Sequence, residues 1–188
     1  MEKGFRKIFW GFIFLLFHIN FGTFQIIPDC ISYYIILNGV DFLFENCNNK
    51  SLSICADILW LQIIAGFIED CSRTLGTPIF AGSSYGFLYT AVMCTINIVM
   101  VYFLLQGITE ILLEYCYEDE AKSFGEKQKY YIIADTVISM IVVSLRAFGY
   151  NNWLSILAVI GAVAIRIWLI ININYLRKIN FTKTNLEI

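Results

Sequence analysis

Six long apolar segments constrain this chain more than any other feature of its sequence. A helix needs about 20 mostly apolar residues to cross the hydrocarbon core of a bilayer, with a range of about 17–25. Five of the segments fall in that range, whereas the third is shorter and contains Asp57. The segments lie at 8–24, 26–44, 54–68, 85–108, 130–148 and 153–175. The pattern predicts an all-α polytopic membrane protein, a six-transmembrane-helix bundle that forms one integral membrane domain over residues 1–188.

The composition excludes the other common classes of protein. Of the 188 residues, 59% are hydrophobic and 15% are charged, whereas a soluble domain carries about 25% charged residues. Such a high apolar content also excludes a disordered chain. The net charge of −2 gives no attraction for nucleic-acid phosphates, so no nucleic-acid partner is expected. The expected partner is the lipid bilayer.

The distribution of Lys and Arg predicts the orientation of the bundle. With a cytoplasmic N-terminus, six spans leave only Arg73 and Arg146 outside, while Arg166 lies within the last span. The remaining cationic residues then face the cytoplasm: Lys3, Arg6, Lys7, Lys50, Lys122, Lys127, Lys129, Arg177, Lys178 and Lys183. Because cytoplasmic loops carry an excess of Lys and Arg, both termini are predicted to be cytoplasmic.

Ionisable and amide side chains inside the spans are the candidate functional residues, since a charge at the centre of a bilayer costs about 2.5–3.5 kcal/mol. They form two groups by depth. The bundle-interior candidates are Asn38, Asp41, Asp57, Asn97, Asp135, Ser139 and Arg166. The outer-face candidates are His18, Asp29, Cys30, Cys71 and Arg146.

Helical spacing predicts that Arg166 points into the bundle. It follows Ala158 and Ala162 at intervals of four residues, and small residues let helices approach closely. Asp135 is the predicted neutralising carboxylate, with Asp57 and Asp41 as alternatives. Two interpretations remain open. In one the polar groups satisfy each other in a packed bundle, and in the other they line a water-accessible cavity for a small solute or a cation.

Cysteine, histidine and catalytic patterns predict neither a metal site nor a cofactor. None of the six cysteines forms a C-x-x-C pair. Cys30 and Cys71 are both predicted at the outer face, where they either form a disulfide or stay free. No zincin, nucleophile-elbow or phosphate-loop motif is present. An intramembrane enzyme could use only a combination of Ser32, His18 and Asp29, three common residues near one interface. No catalytic residue is therefore predicted.

The segment 108–120 carries the most distinctive polar pattern outside the spans. Ile108, Ile111 and Leu112 recur at helical spacing, while Glu110, Glu114 and Glu118 follow another side. This predicts an amphipathic acidic extension of the fourth helix. It suits a protein partner or the inner surface of the protein itself, and a solvated helix end is the alternative.

The start of the second span supports a family resemblance. After a basic N-terminus and one apolar span comes Pro28-Asp29-Cys30-Ile31-Ser32-Tyr33. This resembles the Pro-Asp-x-Ile-x-Tyr start of the second span in uncharacterised small multi-pass membrane proteins of Gram-positive bacteria. Cys30 replaces the aromatic residue usual there, and Ser32 replaces a glycine. The resemblance implies a bacterial cytoplasmic membrane and no particular activity.

Taken together, these patterns predict a non-enzymatic integral membrane protein, either a small membrane subunit or a transport-associated protein. The first alternative is a stand-alone transporter for a small solute or a cation. Its size and span count are similar to those of the substrate-binding subunits of energy-coupling-factor transporters, an analogy of fold alone. The second alternative is an intramembrane enzyme.

Overall fold

The computed structural model describes residues 1–16, 20–21, 24–25, 28–74, 86–148 and 152–179, with backbone only at 20–21, 24–25, 73–74, 146 and 152. It has six helices and one pair of two-residue strands in this part of the chain. The elements are α1 (Glu2–Leu16), β1 (Asn20–Phe21), β2 (Phe24–Gln25), α2 (Asp29–Cys47), α3 (Lys50–Thr74), α4 (Gly86–Glu114), α5 (Glu118–Phe148) and α6 (Asn152–Arg177). The predicted all-α class is therefore confirmed.

The connection between α1 and α2 differs from the prediction. The first helix was expected to continue to Phe24, but α1 ends at Leu16. Beyond it, β1 and β2 pair in antiparallel register, with Asn20 opposite Gln25. Pro28 then precedes the first turn of α2, a position where the missing N–H of proline costs no helical hydrogen bond.

Helix α3 is much longer than the predicted 54–68 segment. Its 25 residues extend over about 38 Å at 1.5 Å per residue. Asn49 explains its start, because the Asn49 side-chain oxygen accepts hydrogen bonds from the N–H groups of Ser51 (2.8 Å) and Leu52 (3.2 Å). This is the geometry of an N-cap. The predicted segment left out the polar residues at both ends of the helix, which the helical backbone includes.

Four helices in the described residues are long and apolar enough to cross a membrane: Lys50–Ser72, Gly86–Glu114, Glu118–Leu145 and Trp153–Arg177. They belong to α3, α4, α5 and α6. Helices α1 and α2 have 15 and 19 residues and are not among these four. The third segment is the shortest of the six in the sequence, yet by helix length and composition the first two are the weaker candidates for membrane spans.

The helices form a closed ring. Each helix packs against the next one along the chain, and α6 packs against α1. The tightest contact joins α1 to α2, where a Cβ atom built on Gly39 would lie 2.6 Å from Ile8 Cγ1 and 2.8 Å from the carbonyl oxygen of Gly4. Helix α1 also contacts α6. The guanidinium of Arg177 lies 5.4 Å from the centroid of the Phe9 ring, a cation–π contact that joins α6 to α1.

The two halves of the ring are packed differently. The packed half, toward the chain termini, is filled by large buried side chains from all six helices, including Phe5, Ile8, Leu43, Leu52, Leu59, Leu104, Leu105, Ile108, Phe124 and Ile173. In the open half, no described side chain of 132–148 in α5 is buried, and in 153–168 of α6 only Ala158 is. The packed half therefore closes the ring, whereas the α5 and α6 side chains of the open half are only partly covered.

Candidate functional site

A group of polar side chains lies inside the ring just beyond the packed half. We define the central polar cluster as Tyr33 of α2, Cys94 of α4, Tyr131, Asp135 and Ser139 of α5, and Arg166 of α6. The positive charge of Arg166 is within electrostatic range of four other members, namely Tyr33, Cys94, Tyr131 and Asp135. Ser139 belongs to the cluster through a side-chain hydrogen bond with Cys94.

The cluster spans the axis of the ring. Helices α2 and α5 are not neighbours in the ring, and they are separated by two helices on each side. Tyr33 on α2 nevertheless interacts electrostatically with Tyr131 on α5, and also with Arg166 on α6. Electrostatic interactions between helices that are not adjacent place these side chains toward the interior of the ring. The cluster therefore occupies the centre of the bundle.

Arg166 is anchored to the end of a different helix. Its Nη1 donates to the carbonyl oxygen of Leu15, at 3.4 Å. Leu15 lies in the last turn of α1, where carbonyl groups have no partner within the helix and where the helix dipole favours a cation. Arg166 is exposed, although its neighbours come from four helices. We interpret this exposure as the opening of the interior in the open half.

Asp135 is the carboxylate that the structure brings to Arg166. It lies within electrostatic range of the guanidinium, but among the described residues its Oδ2 atom is buried without a hydrogen-bond partner. The alternatives lie elsewhere. Asp57 is exposed, and Asp41 is exposed with Lys7 and Glu45 as its charged neighbours.

Gln62 is a buried polar residue that the sequence did not single out. Only 1% of its surface is exposed, and within the described part of the chain neither its Nε2 nor its Oε1 has a hydrogen-bond partner. Leaving a buried amide unsatisfied costs about 1–3 kcal/mol. Gln62 belongs to the buried stripe of α3 that also contains Leu59 and Gly66.

The depth of Gln62 follows from the contact between α2 and α3. A Cβ atom on Gly66 would lie 3.4 Å from the backbone nitrogen of Cys30. The two helices are antiparallel, so four residues back along α3 corresponds to about four residues forward along α2. Gln62 therefore has the depth of Tyr33, at the level of the central polar cluster. Ser32, which is also 1% exposed, has an Oγ atom without a partner in the described residues.

The other interior candidates contribute less. Asn38 donates its side-chain N–H to the carbonyl oxygen of Tyr34 in its own helix, at 2.8 Å. The side-chain N–H group of Asn38 is therefore occupied within α2. Asn97 is half-buried on α4, one turn from Cys94.

The outer-face candidates are only partly described. Asp29 and Cys30 begin α2, and Cys71 is exposed near the end of α3. His18 and the side chain of Arg146 lie outside the described residues, so a site that combines His18 with Ser32 and Asp29 cannot be built. Cys30 and Cys71 both lie in the described part and neither is in a disulfide, so the disulfide alternative for this pair is wrong.

The predicted acidic helix 108–120 is interrupted. Helix α4 ends at Glu114, Cys116 has a positive φ of 62°, and α5 starts at Glu118. The apolar face of the segment is not free, because Ile108 and Ile111 are fully buried in the core. The acidic residues 118–120 instead form the first turn of α5, where they interact favourably with the helix dipole.

Glu110 and Tyr115, near this turn, both interact with neighbouring side chains. The carboxylate of Glu110 accepts hydrogen bonds from Ser51 Oγ and Gln106 Nε2, each at 3.0 Å. Tyr115 follows the end of α4, and its partial burial, together with nearby Cys47 and Glu114, raises the pKa of its hydroxyl. Glu110 therefore joins α3 to α4 and is not part of a free acidic surface.

A surface groove lies between α4 and α5 near this turn. Its volume is about 790 Å³, and its lining includes Tyr102, Leu113, Lys122, Gly125, Lys129 and Ile133. Leu113 and Ile133 are 52% and 63% exposed. Among the described residues, no group of three or more His, Cys, Asp or Glu side chains is arranged to hold a metal ion.

Comparisons with protein-family models, with curated proteins and with solved structures found no match for this chain. The class of protein therefore follows from the fold alone. Four long apolar helices among the described residues are those of a membrane protein. Its distinguishing site is the central polar cluster.

Proposed function

We propose that this protein is a transport-associated membrane protein that binds a small polar solute at the central polar cluster. The observation that carries the proposal is the set of buried polar atoms without partners at the cluster level. Gln62 has both amide atoms unsatisfied and Asp135 has one carboxylate oxygen unsatisfied among the described residues. Native proteins satisfy nearly all such groups, either within the protein or through bound water or ligand.

The packing of the ring supports access from one side only. Large apolar residues such as Met100 and Leu104 fill the packed half, so a polar solute reaches the cluster through the open half. All six helices cross the membrane in this proposal, with both termini in the cytoplasm. The Lys and Arg distribution then places the open half toward the outside of a bacterial cell.

A binding role suits the site better than catalysis. A nucleophile needs a general base within about 3.2 Å. Cys94 is hydrogen-bonded to Ser139, and a serine hydroxyl is a poor base at neutral pH. The guanidinium of Arg166 has N–H donors and no acceptor, so it suits the binding of an anionic group and not proton abstraction.

A membrane subunit is the second candidate function, and the groove between α4 and α5 favours it. The groove exposes Leu113 and Ile133 beside the charged residues Lys122 and Lys129. A partner helix that docks here would also contact the exposed carboxylates of Glu114 and Glu118. Purification in a mild detergent followed by mass spectrometry of copurifying proteins tests this role.

Thiol accessibility tests the solute-binding proposal. Five cysteines are replaced by Ser or Ala so that only Cys94 remains, and intact cells are treated with a small, membrane-impermeant methanethiosulfonate. Cys94 should react, because the open half admits water to the cluster. A variant that keeps only Cys55 is the matched control, since Cys55 is fully buried in the packed half and donates to the carbonyl oxygen of Met100 at 3.6 Å.

Two results would contradict the proposal. If Cys94 is as unreactive as Cys55 in intact cells and in permeabilised cells, the cluster is not accessible. If Cys55 reacts as fast as Cys94, the packed half does not close the ring. In either case the bundle is not a one-sided solute site.

A further inference from the structure

We infer that the solute is a small zwitterion, with a carboxylate that binds Arg166 and an ammonium group that binds Asp135. This inference rests on the proposed function and adds the chemical class of the ligand. An amino acid is the simplest solute of this kind. The geometry that carries the inference is a pair of opposite charges at one site that are not joined directly.

Each of the two charges has unused binding capacity. The hydrogen bond described for Arg166 goes to a backbone carbonyl oxygen, Leu15 O, at the long distance of 3.4 Å. A guanidinium has five N–H donors in a planar fork that fits a carboxylate with two parallel hydrogen bonds. Asp135 keeps its buried Oδ2 atom without a partner among the described residues. A ligand with both charges occupies both groups at once.

The charge balance favours a zwitterion over a simple ion. A lone anion at Arg166 would leave the Asp135 carboxylate unpaired and would be repelled by it. A lone cation at Asp135 would be repelled by Arg166 in the same way. Unpaired charges within a membrane protein are costly, so the ligand that pairs both of them without adding net charge is bound best.

Neutral groups around the two charges suit the rest of such a solute. At the depth of the cluster, the amide of Gln62 offers N–H donors and a carbonyl acceptor with no partner in the described residues, and Tyr33 and Tyr131 interact with each other electrostatically. A site built to hydrogen-bond its ligand rejects an analogue that lacks the matching groups. Gln62 is therefore expected to add selectivity beyond the charge pair.

Ligand protection of Cys94 tests the inference. The single-Cys94 protein is purified in detergent and its thiol is labelled with the methanethiosulfonate in the presence of acetate, methylamine or an equimolar mixture of the common amino acids, at matched concentrations. Cysteine is left out of the mixture, because its thiol would consume the reagent. The amino-acid mixture should slow the labelling by about tenfold or more, whereas acetate and methylamine should leave the rate unchanged.

Two charge variants and one control connect the protection to the named residues. Arg166→Gln and Asp135→Asn should each abolish protection, because each leaves one ligand charge without a partner. Lys178→Gln should keep protection, since Lys178 is exposed beyond the end of α6. Asp135→Asn keeps the size of the side chain, so it stays informative if Arg166→Gln folds poorly.

The outcomes separate the inference from the proposed function. If Cys94 reacts but acetate or methylamine protects it as well as the amino-acid mixture does, or nothing protects it, the zwitterion is wrong and the accessible site remains. Protection that survives Asp135→Asn also overturns it. If Cys94 does not react at all, the proposed function itself fails.

Discussion

The guanidinium of Arg166 donates to the carbonyl oxygen of Leu15, so that a residue near the middle of α6 binds the last turn of α1. These two residues are 151 positions apart in the chain. The bond helps to close the ring at the depth where the packed half ends. The side chain of Arg166 thus joins α6 to α1 through one N–H group, and its other N–H groups can bind a ligand.

Arg166→Leu should lower the stability of the folded protein. It removes a charged donor from the end of α1 and leaves Asp135 without its neighbouring cation, a loss of about 1–3 kcal/mol. Thermal unfolding in detergent, followed by fluorescence, measures the change. Lys178→Leu is the control and should unfold within a degree or two of the wild type, since surface substitutions change stability by about 0.5 kcal/mol or less. Equal unfolding temperatures for the two variants would contradict the structural role of Arg166.

Two glycines should respond to alanine with opposite signs. Gly39→Ala puts a methyl group 2.6 Å from Ile8 Cγ1 and 2.8 Å from the backbone oxygen of Gly4, so α1 and α2 must separate, at a cost of about 1–3 kcal/mol. Gly125→Ala meets no atom within 4 Å and should stabilise α5 by about 0.5–1 kcal/mol, because alanine favours a helix over glycine. Unfolding temperatures of both variants against the wild type check this, and a neutral Gly39→Ala would mean that α1 and α2 pack less tightly than described.

Gln62→Met should separate stability from binding. The buried amide of Gln62 has no partner in the described residues, so its replacement by an apolar side chain of similar size should be neutral or stabilising in the absence of solute. The same variant should weaken the protection of Cys94 by the amino-acid mixture. Loss of protection without loss of stability is the expected result.

Gln128 provides the matched control for Gln62. It is also buried, but its Nε2 donates to the carbonyl oxygen of Tyr102 at 3.2 Å. Gln128→Met should therefore destabilise the protein by about 1–3 kcal/mol and leave the protection of Cys94 in place. If the two glutamine variants behave alike, the unsatisfied amide at Gln62 has no special role.

Much of the helical content could be predicted from the sequence, because helices of this kind depend on local apolar runs. The ends could not, since Asn49 caps α3 with a single polar side chain and strand β1 lies inside the first predicted apolar segment. The closure of α6 on α1 depends on contacts between distant parts of the chain. No local pattern in the sequence encodes such a contact.

Only half of the central polar cluster could be predicted from the sequence. Asp135, Ser139 and Arg166 were singled out because ionisable or polar groups in apolar helices are unusual. Tyr33, Tyr131 and Cys94 were missed, since aromatic residues and cysteines are common both in cores and facing lipid. Gln62 was missed although an uncharged amide in a membrane span is itself a signal, and a search for all polar side chains would have found it.

The number of spans and their direction can be read from native cysteines at both ends of the ring. Cys71 is exposed near the end of α3, and Cys30 begins α2 at the same end, beside Gly66. Cys116 is exposed in the turn between α4 and α5 at the other end. With six spans and cytoplasmic termini, single-cysteine variants at 30 and 71 should react with an impermeant maleimide in intact cells.

The variant that keeps only Cys116 should react only after permeabilisation, which makes it the internal control. Each alternative arrangement gives a different pattern. If Cys71 reacts in intact cells but Cys30 needs permeabilisation, the first two helices do not cross the membrane and only α3 to α6 do. In that case α2 does not pack along α3 as described, since Cys30 lies beside Gly66 of α3 here. If Cys116 reacts in intact cells and Cys71 does not, the bundle is inverted, and the open half with its central polar cluster faces the cytoplasm.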